Sequence, residues 1–343
     1  RVLDRLHVSE RLLGIEDRPL RQPSGGAGGP PAGGGGSVGD GGGGGDGGAG
    51  GAGVGGGGAP GDFCWARAYG DAANESLEGL EVRDDRVAAA GVFGGVMQLD
   101  QPLTASGFDG FALEAIAGDP VFIAQLGDQS REGRLQRFAA SASDDRGQLY
   151  LAADFAAPAG LETTEGGGAA FAADGIALFH FDSDWRSLIQ VATFGGGGDD
   201  AFTDIDVVGD ALYVTGRYDG TAPSFPPFTL SEDPGFQSFV AKLNRSNLEA
   251  DWVIAVGLGG HTLAHEILVV DDAVYIAGRT GPLTTDTDPF IAHVDQTGVI
   301  WSQVFQASGD SRAVALAAGP DGSLWMGGAF SGTVELEAGE LTT

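Results

Sequence analysis

The run HTLAHE sets His261, His265 and Glu266 within six residues. On a helix, histidines four apart share a face and could hold a divalent metal. The residue order is not that of a zinc protease. On a strand the same two histidines share a face but stand about 13 Å apart, too far for one ion. The repeat pattern of the chain puts them where a turn enters a strand, so exposed turn histidines are expected and a metal pair is not. His180 and His293 hold matching places in their repeats, which points to a packing position.

Carboxylates are the other candidates. Acidic pairs recur at Asp84-Asp85, Asp144-Asp145, Asp199-Asp200 and Asp271-Asp272, with Asp286 close to Asp288. Calcium takes several oxygen ligands from a tight loop. The stretches GGGGDDAFTD and DTD could supply two or three, which makes Asp199, Asp200, Asp286 and Asp288 the calcium candidates. No stretch carries a full spaced ligand set, and hairpin-turn chemistry explains most of these residues. No nucleophile-elbow serine occurs, no Cys–His pair is suggested, and the carboxylates are too many for one pair to stand out. No catalytic or cofactor-binding residue is assigned.

The elements that position these residues follow from composition. The chain has 343 residues, 62 of them glycine, with 42% hydrophobic residues and a formal net charge of −30. Such a surface repels nucleic acid and anionic membrane. No apolar run is long enough to span a bilayer, so direct membrane insertion is not expected. The single cysteine, Cys64, rules out an intrachain disulfide framework. Residues 1–22 space Leu3, Leu6, Leu12 and Leu13 as a short amphipathic helix would, or as the remnant of an upstream segment. Residues 23–61 are dominated by glycine and cannot bury enough surface to offset their ordering entropy, so a disordered tether is expected. They lack the strand, helix and lysine of a phosphate-binding loop.

From residue 62 onward the chain repeats itself. The segments DDRVAAAG, DDRGQLYLAA, GDALYVTG, DDAVYIAG and PDGSLWMGG each run from an acidic turn into a short strand, and most close on glycine. Their spacing is roughly 62 residues, falling to about 50 at the end. Around each lie an opening aromatic strand (at Trp65, Trp185, Trp252 and Trp301), a second strand such as FTDIDVV, and a fourth such as QSFVAKL. Four short strands per unit with no helix-length segment predict an all-β fold of antiparallel four-stranded propeller blades, about four to five units, with the ring incomplete. Residues 62–343 are therefore expected to form a β-propeller repeat domain. Its Trp, Phe and Tyr residues are expected to form the core between blades. The closing glycines suggest a bulge or a close backbone approach.

The order TFGGGGDD, ALYVTG, QSFVAKLN within 185–244 resembles the bacterial β-propeller repeats called SBBP repeats, and the likeness extends over roughly residues 65–343. The second unit departs from the pattern, with Ala153 where glycine is usual. The resemblance implies a propeller in a secreted or cell-envelope protein and carries no catalytic residues. The expected function is a non-catalytic, exported or envelope-associated module for binding or display, its partner an unidentified protein or glycan. Two alternatives stand beside it. One is a glycan-directed hydrolase or lyase using carboxylates at the channel, gathered from several blades. The other is a structural repeat segment of a longer surface protein.

Overall fold

The computed structural model describes Leu6–Val8 and most of residues 75–342. Most of residues 1–22, the glycine tract, Cys64, Trp65 and Asp199 lie outside the described residues. Every described element is a strand.

The strands group into blades whose order in the sheet follows their order in the chain. Blade 1 holds Glu75–Arg83, Arg86–Met97, Leu103–Ile116 and Asp119–Asp128. Blade 2 holds Gln136–Ser143, Leu149–Phe155, Gly175–Phe181 and Leu188–Gly195. Blade 3 holds Ala201–Val208, Ala211–Asp219, Phe236–Asn244 and Ala250–Val256. Blade 4 holds His261–Val270, Ala273–Gly281, Asp288–Asp295 and Gly298–Val304. Blade 5 begins with Arg312–Ala318 and Leu324–Ala329, and Leu6–Val8 lies parallel along Leu324–Met326. All pairings inside blades 1 to 4 are antiparallel.

The first strand of each blade lies beside the first strand of the next, so these inner strands form a row from blade 1 to blade 5. Apolar burial follows the same logic. One core cluster joins Phe138, Phe179 and Trp185 of blade 2 to Ala90 and Leu126 of blade 1. The next joins Tyr150 and Leu178 to Phe202, Val214 and Phe239 of blade 3. The third spans blades 3 and 4 through Val240, Ile254, Ile276 and Phe290, and the fourth spans blades 4 and 5 through Tyr275, Ile291, Leu316 and Met326. Blades 2, 3 and 4 thus each hide one face against the sheet before and one against the sheet after, which a single four-stranded sheet cannot do.

Every inner strand carries a bulge at the same place. The register slips at Leu77/Gly79, Phe138/Ala140, Phe202/Asp204, Ala264/Glu266 and Ala313/Ala315. Opposite the slip stand Gly91, Gly216, Gly278 and Gly328, and a Cβ there would run into the carbonyl oxygen of Ser76, Ala201, Leu263 or Arg312. This is the close approach that the repeated glycine suggested. Blade 2 places Ala153 at that position.

Two details of the sequence reading change. The aromatic strand closes a blade rather than opening one: Ala250–Val256, with Trp252, is the outer strand of blade 3. Trp185 also is not the counterpart of Trp252 and Trp301. It sits in a turn with a φ of 60°, like Leu248 at 55°, and Gln190 takes the strand position opposite His180. Trp185 is fully buried as expected, whereas Trp252 and Trp301 are only partly covered.

The inserts fall after the second strand and lean back on the preceding blade. Ala159–Thr163 pairs with Asp119–Asp128 and lengthens blade 1. Thr333–Leu336 bonds to residues 306–308, which follow the outer strand of blade 4. The blades therefore have an insert end, where second strands finish, and a turn end, where they start.

Candidate functional site

The inner strands bring carboxylates together. Asp204 Oδ2 accepts the Ile267 amide at 2.8 Å, and Asp206 Oδ2 accepts the Val269 amide at 2.9 Å. Glu81 Oε2 accepts the Ser143 amide at 3.1 Å and its hydroxyl at 2.9 Å. The Glu266 carboxylate accepts the Leu316 amide. The rule is the same each time. An acid one residue past the bulge bonds the amide two past the next bulge, and an acid three past bonds the amide four past. Each acid therefore satisfies a backbone donor on the edge of the neighbouring inner strand.

These groups resist ionisation. Burial pushes the Glu266 carboxyl up to about 7. Burial, then the field of Glu266, holds Asp204 well above the ordinary carboxylate range. Burial also raises Asp206 and Glu81. The fields of Asp204, Asp206 and Glu266 thus act on one another across two blades. Asp204, Asp206 and Glu266 all have oxygens engaged by the next blade's amides.

Blade 2 has Ala140 and Ala142 at the two clasp positions. Its seam with blade 3 is tied at the turn end instead. Arg245, only 4% exposed, lies 3.2 Å from Asp144 Oδ2, 3.0 Å from Asp145 Oδ1 and 3.2 Å from Asp210 Oδ1. Asp144 also accepts the amides of Arg146 and Gln148, which closes the DDRG turn, and the Tyr150 hydroxyl at 3.4 Å. Burial, reinforced by Asp144, pushes the Tyr150 phenol up. The Arg245 guanidinium holds Asp145 below the usual carboxylate range.

Beside this knot lies a cavity of about 450 Å³ lined by Arg146, Gln148, His180, Ile189, Asn244 and Arg245 among others. One seam further on, a cavity of about 640 Å³ is lined by Tyr213, Lys242, Trp252, Asp271, Asp272 and His293 among others. The two are framed by equivalent residues. Tyr150 faces His180 across the strands of blade 2, Tyr213 faces Lys242 in blade 3, and Tyr275 faces His293 in blade 4. The rings stack at 4.5 Å in the first pair and 5.1 Å in the last, and Lys242 Nζ lies 5.5 Å from the Tyr213 ring. Trp252 and Trp301 extend the row one strand outward. His180 is 5% exposed, neither ring nitrogen has a hydrogen-bond partner, and burial lowers its pKa. At the seam of blades 1 and 2, Trp185 fills the corresponding place, its Nε1 donating to the Gly147 carbonyl at 2.6 Å and Arg86 lying 4.1 Å over its ring.

Of the histidines of HTLAHE, His261 opens its strand, as expected, and His265 lies inside the strand; both are half-buried rather than exposed. His261 Nδ1 accepts the Phe236 amide at 2.9 Å, while His265 is the bulge residue of blade 4. His180 and His293 take up the packing role expected of them. Among the calcium candidates, Asp200 is buried, Asp286 is exposed with a φ of 42°, and Asp288 accepts the Ala307 amide at 2.7 Å. Among the described residues, no three His, Cys, Asp or Glu side chains gather where a metal could sit. Arg245 and the clasp residues Glu81, Asp204 and Asp206 escaped sequence reasoning. The signal was present: each clasp acid precedes its amide by one repeat period.

No family model matches the chain, and no curated protein matches it. Among solved structures the WD40 domain of Pan2 from Neurospora crassa is similar at 9% identity, over 72% of this chain and 84% of that one, with a TM-score of 0.27. The propeller architecture stands on the blade order, the shared cores and the repeated bulge, to which a likeness of that size adds nothing.

Proposed function

We propose that the chain is a non-catalytic binding module, displayed outside the cell or at its envelope, that holds its ligand along the turn end of the blade seams. The supporting observation is a cavity at each of two successive seams, bordered at equivalent strand positions by His180, stacked on the buried Tyr150, and by Lys242 beside Tyr213. Repetition at one-blade spacing suits an extended ligand with repeating units. The partly exposed Trp252 ring at the second cavity, flanked by carboxylates and neutral hydrogen-bonding side chains, suits a neutral glycan or a basic polypeptide segment. Display outside the cell is supported by the resemblance to SBBP repeats and by the glycine tract.

Binding to a glycan array and to a library of basic peptides tests the reading, with Trp252→Ala and Lys242→Ala as seam variants. A ligand whose affinity drops in both variants is expected. Binding that both variants leave unchanged, or no ligand in either set, overturns it.

A second reading, a hydrolase or lyase acting on glycans, is favoured by the raised carboxylates Asp204 and Glu266. It requires glycan turnover that is lost in Glu266→Gln while the seam variants retain it.

A further inference from the structure

The two seam cavities are lined from equivalent positions, but the first has its polar groups tied to one another. Asp210, on the turn before the second strand of blade 3, lies 3.2 Å from Arg245 and 3.4 Å from Arg146. In the outer strand of blade 2, Gln190 donates to the Asn247 carbonyl at 2.6 Å.

At the second cavity the same places are filled differently. Trp252 stands opposite Lys242 where Gln190 stands opposite His180. Asp271 and Asp272 form the two-residue hairpin turn of blade 4, with φ of 50° and 65°, and Asp272 takes the place of Asp210. Gln296 follows Asp295 as Arg245 follows Asn244, so a neutral amide replaces the arginine that ties the first knot. Lys242 and Trp252 both lean on Tyr213: the ammonium lies 5.5 Å from its ring and the indole 6.3 Å. Among the described residues, the side chains of Lys242, Asp271 and Asp272 carry no ion pair or hydrogen bond. All of them line one cavity of about 640 Å³.

On the reading that the seams bind a ligand, we infer that the second cavity is their principal subsite and seats one ring of a neutral glycan on Trp252, with Lys242 donating to its hydroxyls and Asp271 and Asp272 accepting from them. A sugar ring has an apolar C–H face that an indole can cover. Its rim carries hydroxyls that each donate and accept. The cavity supplies both partners, an ammonium that only donates and carboxylates that only accept. A cationic side chain would be set beside Lys242, and an anionic group beside Asp271, Asp272 and Asp295. An uncharged polyol satisfies both signs of charge without setting a like charge against either.

The full chain is screened against neutral, uronate-bearing and sulfated glycans on one array and against a library of basic peptides. The tightest neutral oligosaccharide is then carried into calorimetry. Its affinity is expected to fall about tenfold or more in Trp252→Ala and in Asp272→Gly. It should fall less than about threefold in Arg146→Gln, which alters the first cavity. Asp-Gly suits a hairpin turn with positive φ at both residues, so Asp272→Gly removes the carboxylate and keeps the turn even if Trp252→Ala fails to fold. A basic peptide or an acidic glycan bound instead, and lost in Trp252→Ala, overturns the neutral-glycan assignment while the seam reading stands. A neutral glycan whose affinity falls with Arg146→Gln rather than with Asp272→Gly overturns the choice of cavity. Absence of any ligand overturns the seam reading and the subsite with it.

Discussion

The seam between blades 2 and 3 and the seam between blades 3 and 4 join the same kind of sheet in different ways. The second is closed by Asp204 and Asp206, which hold backbone amides of blade 4 from within the inner strand. The first has alanines at those positions and is tied by Arg245 among Asp144, Asp145 and Asp210 at the turn end. Apolar stacking brings the blades together in both cases, and polar groups set their register. A carboxylate clasp satisfies a donor that the strand edge leaves over. An ion-pair knot leaves the inner strand apolar and places its charges beside an open cavity. A seam can thus carry polar groups for a ligand without giving up its closure.

The largest difference should appear on cutting each tie. Arg245→Met leaves Asp144, whose side chain is 0% exposed, without its countercharge. A loss of about 3–5 kcal/mol is expected, read as a melting point lower by on the order of 10 °C. Next comes the bulge glycine. Gly216→Ala forces a methyl toward the Ala201 carbonyl and the Phe239 ring and should cost about 1–3 kcal/mol. Its counterpart Ala153→Gly in blade 2 should cost at most about 1 kcal/mol. Equal losses in a denaturant series would mean that the bulge is not the reason for the glycine.

Glu266→Gln has a smaller effect that depends on pH. Glu266, raised to about 7, keeps its proton in the folded chain where the unfolded chain has lost it. Its contribution is full below about pH 4.5 and disappears as pH climbs to about 7, so folding weakens with rising pH in that window. The neighbouring His265, lowered to about 4, works the other way, and folding weakens as pH falls from about 6.5 to 4. Glu266→Gln should therefore melt higher than the parent at pH 7.5, by about 2–4 °C, and His265→Asn should melt higher at pH 5. Melting curves across pH 4–8 check both signs. The smallest effect expected is that of a chelator. Asp288 already accepts the Ala307 amide, so EDTA should shift the melting point by less than about 1 °C.

Much of this was legible in the chain, for local reasons. Acidic turns, alternating apolar strands and a recurrent glycine depend on the backbone nearby, and they announced blades, hairpins and bulges. Strand phase was misplaced because alternation marks where strands lie, not which sheet takes each one. Trp252 therefore seemed to open a blade that it closes. Trp185 was matched to Trp252 by residue type, although its backbone conformation groups it with Leu248. Arg245 could not be found by spacing: its partner Asp145 lies 100 residues away. The clasp acids could have been found, since 62 or 63 residues separate Glu81, Asp204 and Asp206 from their amides, close to the repeat itself.

Hydrogen exchange at the Ile267 and Val269 amides bears most directly on whether the inner carboxylates hold blades together. In Asp204→Ala/Asp206→Ala those two amides should lose protection at pH 7, while Ser143, held by Glu81, keeps its own. Protection that is unchanged at Ile267 and Val269 would contradict the clasp and return Asp204 and Glu266 to the pool of catalytic candidates.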